Sequence, residues 1–273
     1  MSIEWLDHPL TTSAFGWRLE RTDGVTLGFT SHDRDIWIDG LLYSAKPGME
    51  PSSIVENMGF ESGGLDVRGA LTSDAIRRDD LLAGRWNGAR LEIFLFDWAS
   101  ADDGRQPLAM GELGTVSFSG DAFEAELIGV AKRLDRPAVP ATSPGCRAVF
   151  CDKACGLNRE RFRHVATVTA AAGCTMTLSS APPIGAGALE YGQLRWLEGP
   201  NCGLIEEILS HDAENVRLAN PPSFMVTGNA RVELVEGCDK RLETCSARFA
   251  NAVNFRGEPH LPGNDLLTRF PGG

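Results

Sequence analysis

The sequence lacks any apolar run near the roughly 20 residues that a membrane-spanning helix needs, so no membrane span is expected. It also lacks a basic surface. Its 26 Lys and Arg face 37 Asp and Glu, a net charge of -11, which excludes the cation clusters that displace counterions along a nucleic-acid backbone. The densest basic stretch, Arg159, Arg161, Arg163 and His164, is short, and its alternation reads as one solvated face of a strand. The opening Met1-Ser2-Ile3-Glu4-Trp5-Leu6-Asp7 has neither the basic start nor the apolar run of a secretory signal. Folding in the reducing cytosol is therefore expected, with disulfides the minor reading. There is no internal repeat or low-complexity segment, no Gly-x-Ser-x-Gly elbow and no glycine-rich dinucleotide fingerprint. Cysteines could pair with His8, His32, His164, His211 or His260, but no nucleophile signature surrounds any of them. The carboxylate pairs Asp79-Asp80 and Asp102-Asp103 read as capping and solvation. An enzyme is not expected, and a cysteine hydrolase is the minor alternative.

What the sequence does have is short strands and tight turns. A chain of 273 residues predicts two modules. Strands are expected at 15–21, 25–30, 36–38 and 41–44, with turns at Asp23-Gly24 and Asp39-Gly40, a strong hairpin signal. A helix is predicted over 73–82, capped by Ser73, burying Ile76 and Leu81 and stopped by Gly84. A meander follows at 91–98, 111–118 and 122–130. Pro137, Pro140 and Pro144 mark the boundary, giving modules 1–140 and 141–273. In the second, strand-like segments at 165–168, 176–178, 188–197, 203–209, 216–218 and 230–235 suggest a small barrel or sandwich inserted over about 160–236. A helix-like run at 239–250 and an irregular tail complete it. The fold class is thus mainly β, an N-terminal β domain followed by a small barrel-like domain with a short C-terminal helix and an irregular cysteine-bearing segment. Trp17, Trp37, Trp86, Trp98 and Trp196 read as core or subunit-interface residues.

All seven cysteines lie beyond the boundary. Cys174 and Cys202 are isolated and read as small core residues. Cys146, Cys151 and Cys155 fall within ten residues, while Cys238 and Cys245 flank the start of the helix-like run, in which Leu242, Cys245 and Phe249 share one stripe. Two such pairs can close a four-thiolate site for zinc or an iron-sulfur cluster. The spans from Cys146 to Cys155 and from Cys238 to Cys245 are wider than zinc knuckles and suit a cluster. The Cys151 and Cys155 pair keeps zinc open.

These residues resemble a tail-tip hub family that includes the minor tail protein L of lambda-type phages and the iron-sulfur hub protein of gene transfer agents. The likeness rests on Cys146 and Cys155-Gly156-Leu157, then Gly237-Cys238-Asp239-Lys240, Cys245, Phe249, Asn251, Asn254-Phe255, Gly257, Pro259 and Pro262-Gly263. Gly192-Gln193-Leu194, Gly203-Leu204-Ile205, the Trp17 hairpins and Gly63-Gly64-Leu65-Asp66 add to it. The resemblance implies a 4Fe-4S cluster on Cys146, Cys155, Cys238 and Cys245. Cys151 is either a fifth, unligated thiol or a replacement for Cys146. It further implies a virion tail-tip protein assembled in the host bacterial cytoplasm as a homotrimer, between the distal tail protein and a central tip protein that carries receptor-binding parts. DNA would pass its acidic lumen without specific binding. The rival is a zinc-stapled intracellular interaction protein.

Overall fold

The computed structural model describes residues 5, 11–45, 49–51, 65–70, 76–119, 122–129, 139–179, 184–212, 214–226 and 228–260. Its contacts divide the chain into two units, Met1–Pro137 and Ala138–Gly273.

In the first unit, β1 (Ser13–Glu20) and β2 (Thr26–Thr30) form a hairpin closed at Arg21–Val25, where the Gly24 N–H donates to Arg21 O at 3.0 Å. The next hairpin joins β3 (Ile36–Ile38) to β4 (Leu41–Ser44) through Asp39 and Gly40, with φ of 50° and 77°. Positive φ at both turn residues is the two-residue geometry whose twist matches the strands. Next come β5 (Met49–Pro51), β6 (Leu65–Ala70), α1 (Arg78–Leu82), β7 (Arg90–Asp97), β8 (Arg105–Ser119) and β9 (Ala122–Gly129). The nine strands make one sheet in the order β3-β4-β2-β1-β7-β8-β9-β6-β5. Along β7 the period of two sends Leu91 and Ile93 to one face and Phe94 and Phe96 to the other, and all four are buried. The first face packs with Trp17, Leu19, Leu81 and Trp86, the second with Ala14, Ile38 and Tyr43. Each fully buried large side chain contributes about 1.5–3 kcal/mol.

Two expectations change here. Helix α1 is shorter than 73–82 and begins after Arg77, which makes no side-chain cap; Ser73 lies outside the described residues. Ile76 and Leu81 are buried, and Gly84 takes a positive φ of 74° just past the end. Strand β8 starts six residues before 111 because Pro107, which has no N–H to give a ladder, sits at the register shift opposite Ile93 and Phe94. Those five tryptophans divide between the two readings offered for them: Trp17, Trp86 and Trp196 are core, whereas Trp37 and Trp98, 65% and 42% exposed, are not.

The second unit holds a closed barrel in the order β10-β11-β14-β13-β12-β15: β10 (Arg163–Ala172), β11 (Thr175–Ser179), β12 (Gln193–Trp196), β13 (Ile205–His211), β14 (Asn215–Leu218) and β15 (Ala230–Val235). Val168, Met176, Leu194, Trp196, Ile208, Val216, Leu218, Val232 and Leu234 are fully buried. A six-stranded barrel is narrow enough for side chains to fill. Residues 188–192, expected in a strand, form turns instead, with Glu190 N–H donating to Gly187 O and Gly192 N–H to Leu189 O. Their apolar character is spent on Leu189, which is fully buried. Cys174 and Cys202 are not core residues: both lie in turns, Cys174 half-buried and Cys202 exposed. Of the basic stretch, Arg163 pairs with the buried Glu233 at 2.6 Å and Arg159 reaches the same carboxylate at 3.5 Å. Helix α2 (Leu242–Ala247) is the helical part of 239–250. No helix among the described residues is long and apolar enough to cross a membrane.

His211 is buried at the end of β13 with neither ring nitrogen hydrogen-bonded among the described residues. Burial pushes its pKa below the usual 6.5, against the weaker pull of Asp212 and Glu190 in the other direction. The unfolded chain therefore binds the proton first, and stability is lost as pH falls from about 6.5 through the lowered native value. Denaturant unfolding between pH 7 and 5 should show this loss, and His211→Leu should remove that part of the pH dependence.

Candidate functional site

The first cysteine segment is a loop organised by one carboxylate. Asp152 accepts from the N–H of Val149 at 3.0 Å and of Cys155 at 2.7 Å, and its carbonyl accepts from Gly156 N–H at 2.8 Å. These donors, Cys155 N–H foremost, hold the Asp152 carboxyl below its ordinary range. The turn places Cys151 at φ 64° and Gly156 at φ 73°, the latter where a Cβ would stand only 3.0 Å from the Asn254 amide nitrogen.

The second segment leaves β15 at Gly237, where backbones nearly touch: a Cβ there would stand 1.8 Å from Glu190 O. Only glycine permits that approach. Asp239 then accepts from Arg241 N–H at 3.0 Å and from the Thr244 hydroxyl at 2.8 Å, turning the chain into α2. Cys245 is buried on its inner side.

The two segments are laced together. Cys146 N–H donates to Lys240 O at 2.8 Å, Lys240 Nζ to Ala148 O at 2.7 Å, and Arg147 N–H to Arg256 O at 3.1 Å. The Arg147 guanidinium forks onto Glu258 at 2.5 and 2.7 Å, and the Ser143 N–H reaches the same carboxylate at 2.9 Å. Together they hold the Glu258 carboxyl down to about 2.

Between the segments, Cys146, Cys155, Cys238 and Cys245 all line one small cavity. Ala148, Phe150, Leu157, Lys240, Phe249 and Asn251 are among its other walls. Phe150 and Phe249 continue into an aromatic cluster with Phe162, at centroid distances of 5.0–5.5 Å. Among the described residues two of the four sulfurs receive an N–H: Cys146 from Arg256 at 3.3 Å and Cys155 from the Asn251 amide at 3.7 Å. Burial raises the Cys245 and Cys238 thiols, and the other cysteines of the cavity oppose ionisation of each. Among the described residues, no three His, Cys, Asp or Glu side chains come close enough together to clasp a single metal ion.

Cys151 does not line this cavity. It opens, with Tyr191, Gln193 and Glu236, onto a neighbouring, more open cleft whose wall includes Cys238, and burial pushes its thiol up to about 11. Among the described residues, no histidine lines either cavity. His164 bonds Glu236 at 2.9 Å. Sequence reasoning missed Asp152, Arg147 and Glu258. The Asp152 turn has a local signal, an Asp three residues ahead of Cys155, whereas the Arg147–Glu258 pair has none.

A family model described as the N-terminal attachment domain of a baseplate hub protein matches residues 2–158. A second, described as a phage conserved hypothetical protein, matches residues 187–265. Cys146 and Cys155 thus fall in the first match, Cys238 and Cys245 in the second. Among solved structures, a chain of the virion of a native gene transfer agent particle superposes with a TM-score of 0.88 at 32% identity, over 98% of this chain and 94% of that one. No curated protein matches.

The contact at Gly237 is backbone against backbone, so nothing flexible can give way. Gly237→Ala should cost about 3 kcal/mol or more, read as faster hydrogen exchange at β12 and β15 amides than in the unmodified chain.

Proposed function

Since the chain belongs to the family of baseplate hub proteins, whose N-terminal attachment domain its residues 2–158 match, we propose that it is a tail-tip hub whose C-terminal unit is stapled by a 4Fe-4S cluster. The observation that carries the cluster is the meeting of four thiols from two distant segments on one cavity. Cys146, Cys155, Cys238 and Cys245 would be the ligands. Bound there, the cluster supplies iron–thiolate bonds that join the chain near 150 to the chain near 240, and their energy becomes folding energy. The N–H groups on the Cys146 and Cys155 sulfurs suit thiolates, since such bonds favour the charged form and tune cluster potentials.

Zinc fits less well. One ion draws its ligands to about 2.3 Å from a single point, yet no three candidate side chains among the described residues converge that tightly. A cubane spreads its four thiolates further apart. Cys151, outside the cavity, is read as the unligated fifth thiol.

The family and the likeness to a gene transfer agent virion chain support a place among the tail components of such a particle. The reading is a homotrimer beneath the distal tail ring and above the central tip protein, with DNA passing its lumen. The hub function itself is structural.

Protein purified without oxygen should carry four iron and four labile sulfide per chain and absorb in the visible. Serine at Cys146, Cys155, Cys238 or Cys245 should abolish that loading, whereas Cys151→Ser should keep it. Stoichiometric zinc, or loss of loading at Cys151 in place of Cys146, would overturn the ligand assignment.

A further inference from the structure

Asn251 connects the two cysteine segments at a single residue. Its backbone N–H donates to Cys245 O at 2.9 Å, and its side-chain Nδ2 donates to Cys155 O at 2.8 Å while lying 3.7 Å from Cys155 Sγ. The residue is buried, 7% exposed, and lines the four-cysteine cavity.

The orientation of its amide is set by a neighbour. Asn254 Nδ2 donates to Asn251 Oδ1 at 2.8 Å, so the oxygen end is taken and the NH₂ end must face Cys155. Asn254 is itself positioned by a backbone bond from its N–H to Asn251 O at 3.0 Å and abuts Gly156, where a Cβ would come within 3.0 Å of its amide nitrogen. The order of contacts is therefore Gly156, Asn254, Asn251, Cys155. The donor to Cys146 is a backbone N–H, that of Arg256, so a change of the Arg256 side chain leaves it in place unless proline is introduced. Among the described residues, Asn251 supplies a side-chain donor to a cavity sulfur.

Resting on the cluster reading above, we propose that Asn251 is a positioning residue for the cluster. It aims an amide N–H at the Cys155 sulfur, with Asn254 fixing the amide's direction, and thereby raises the reduction potential and slows iron loss at that corner. An N–H toward a ligating sulfur draws off negative charge and favours the reduced, more negative state.

The test uses the full chain, purified without oxygen, as Asn251→Asp, Asn251→Ala and Asn254→Ala. Asn251→Asp keeps size and the acceptor for Asn254 but turns a carboxylate toward the sulfur, so it should show the largest negative shift in reduction potential. Asn251→Ala should shift the same way by less, and Asn254→Ala, which frees the amide to rotate, by less again. Iron release to a chelator should be several-fold faster in Asn251→Ala than in the unmodified chain. A purely structural role would lower unfolding stability and leave the potential in place. Unchanged potential and iron release in loaded Asn251→Asp and Asn254→Ala protein overturns the proposal even if Asn251→Ala fails to fold. Unmodified protein without iron and sulfide instead overturns the cluster reading and takes this proposal with it.

Discussion

The C-terminal unit depends on one constraint: two segments far apart in the chain must be held at hydrogen-bonding distance while four thiols face a common space. Thiols gathered in partial burial gain nothing from one another, because each ionised sulfur opposes the next. The protein therefore holds the segments by other means. The Cys146–Lys240, Arg147–Arg256 and Ser143–Glu258 backbone contacts work like a short stretch of sheet, and the Arg147–Glu258 fork sits outside them. Asp152 and Asp239 shape the approach on each side. The cavity is thus shaped by amides and carboxylates, and the sulfurs are its lining.

The aromatic cluster gives the site a floor. Phe150 belongs to the first segment, Phe162 to the turn before β10, and Phe249 to the turn after α2, so three parts of the chain meet at one packed point. Arg248 stacks over Phe249 at 4.7 Å and donates to Gly237 O, Ala188 O and Glu236, joining the floor to the barrel rim.

Much of the fold was legible where the signal is local. The hairpin from Ile36 to Ser44 could be read to the residue because an Asp-Gly pair prescribes its own turn. Strand β8 could not, since Pro107 looks like a stop until its partner strand shifts register around it. Residues 188–192 misled for the opposite reason: apolar content there serves the buried Leu189, and the backbone turns on itself through Glu190 N–H to Gly187 O and Gly192 N–H to Leu189 O. At the site, clustering singled out five of the seven cysteines, and it was the resemblance that narrowed them to Cys146, Cys155, Cys238 and Cys245, which line one cavity. Nothing in the sequence marked Glu258 as the partner of Arg147 or aimed Asn251 at Cys155, because those relations exist only after the chain has folded back on itself.

The barrel begins and ends on neighbouring strands: Arg163 of β10 lies opposite Val235 of β15, so the chain leaves the cysteine region and returns to it within one strand spacing. The junction is closed on its own side by Glu236, which accepts from His164 and Arg248. A module attached through adjacent termini is topologically a side branch. Its far loops can lengthen, shorten or be exchanged between lineages while the distance its two stalks must span stays the same, which leaves this unit free to vary its outer surface without renegotiating its foundation.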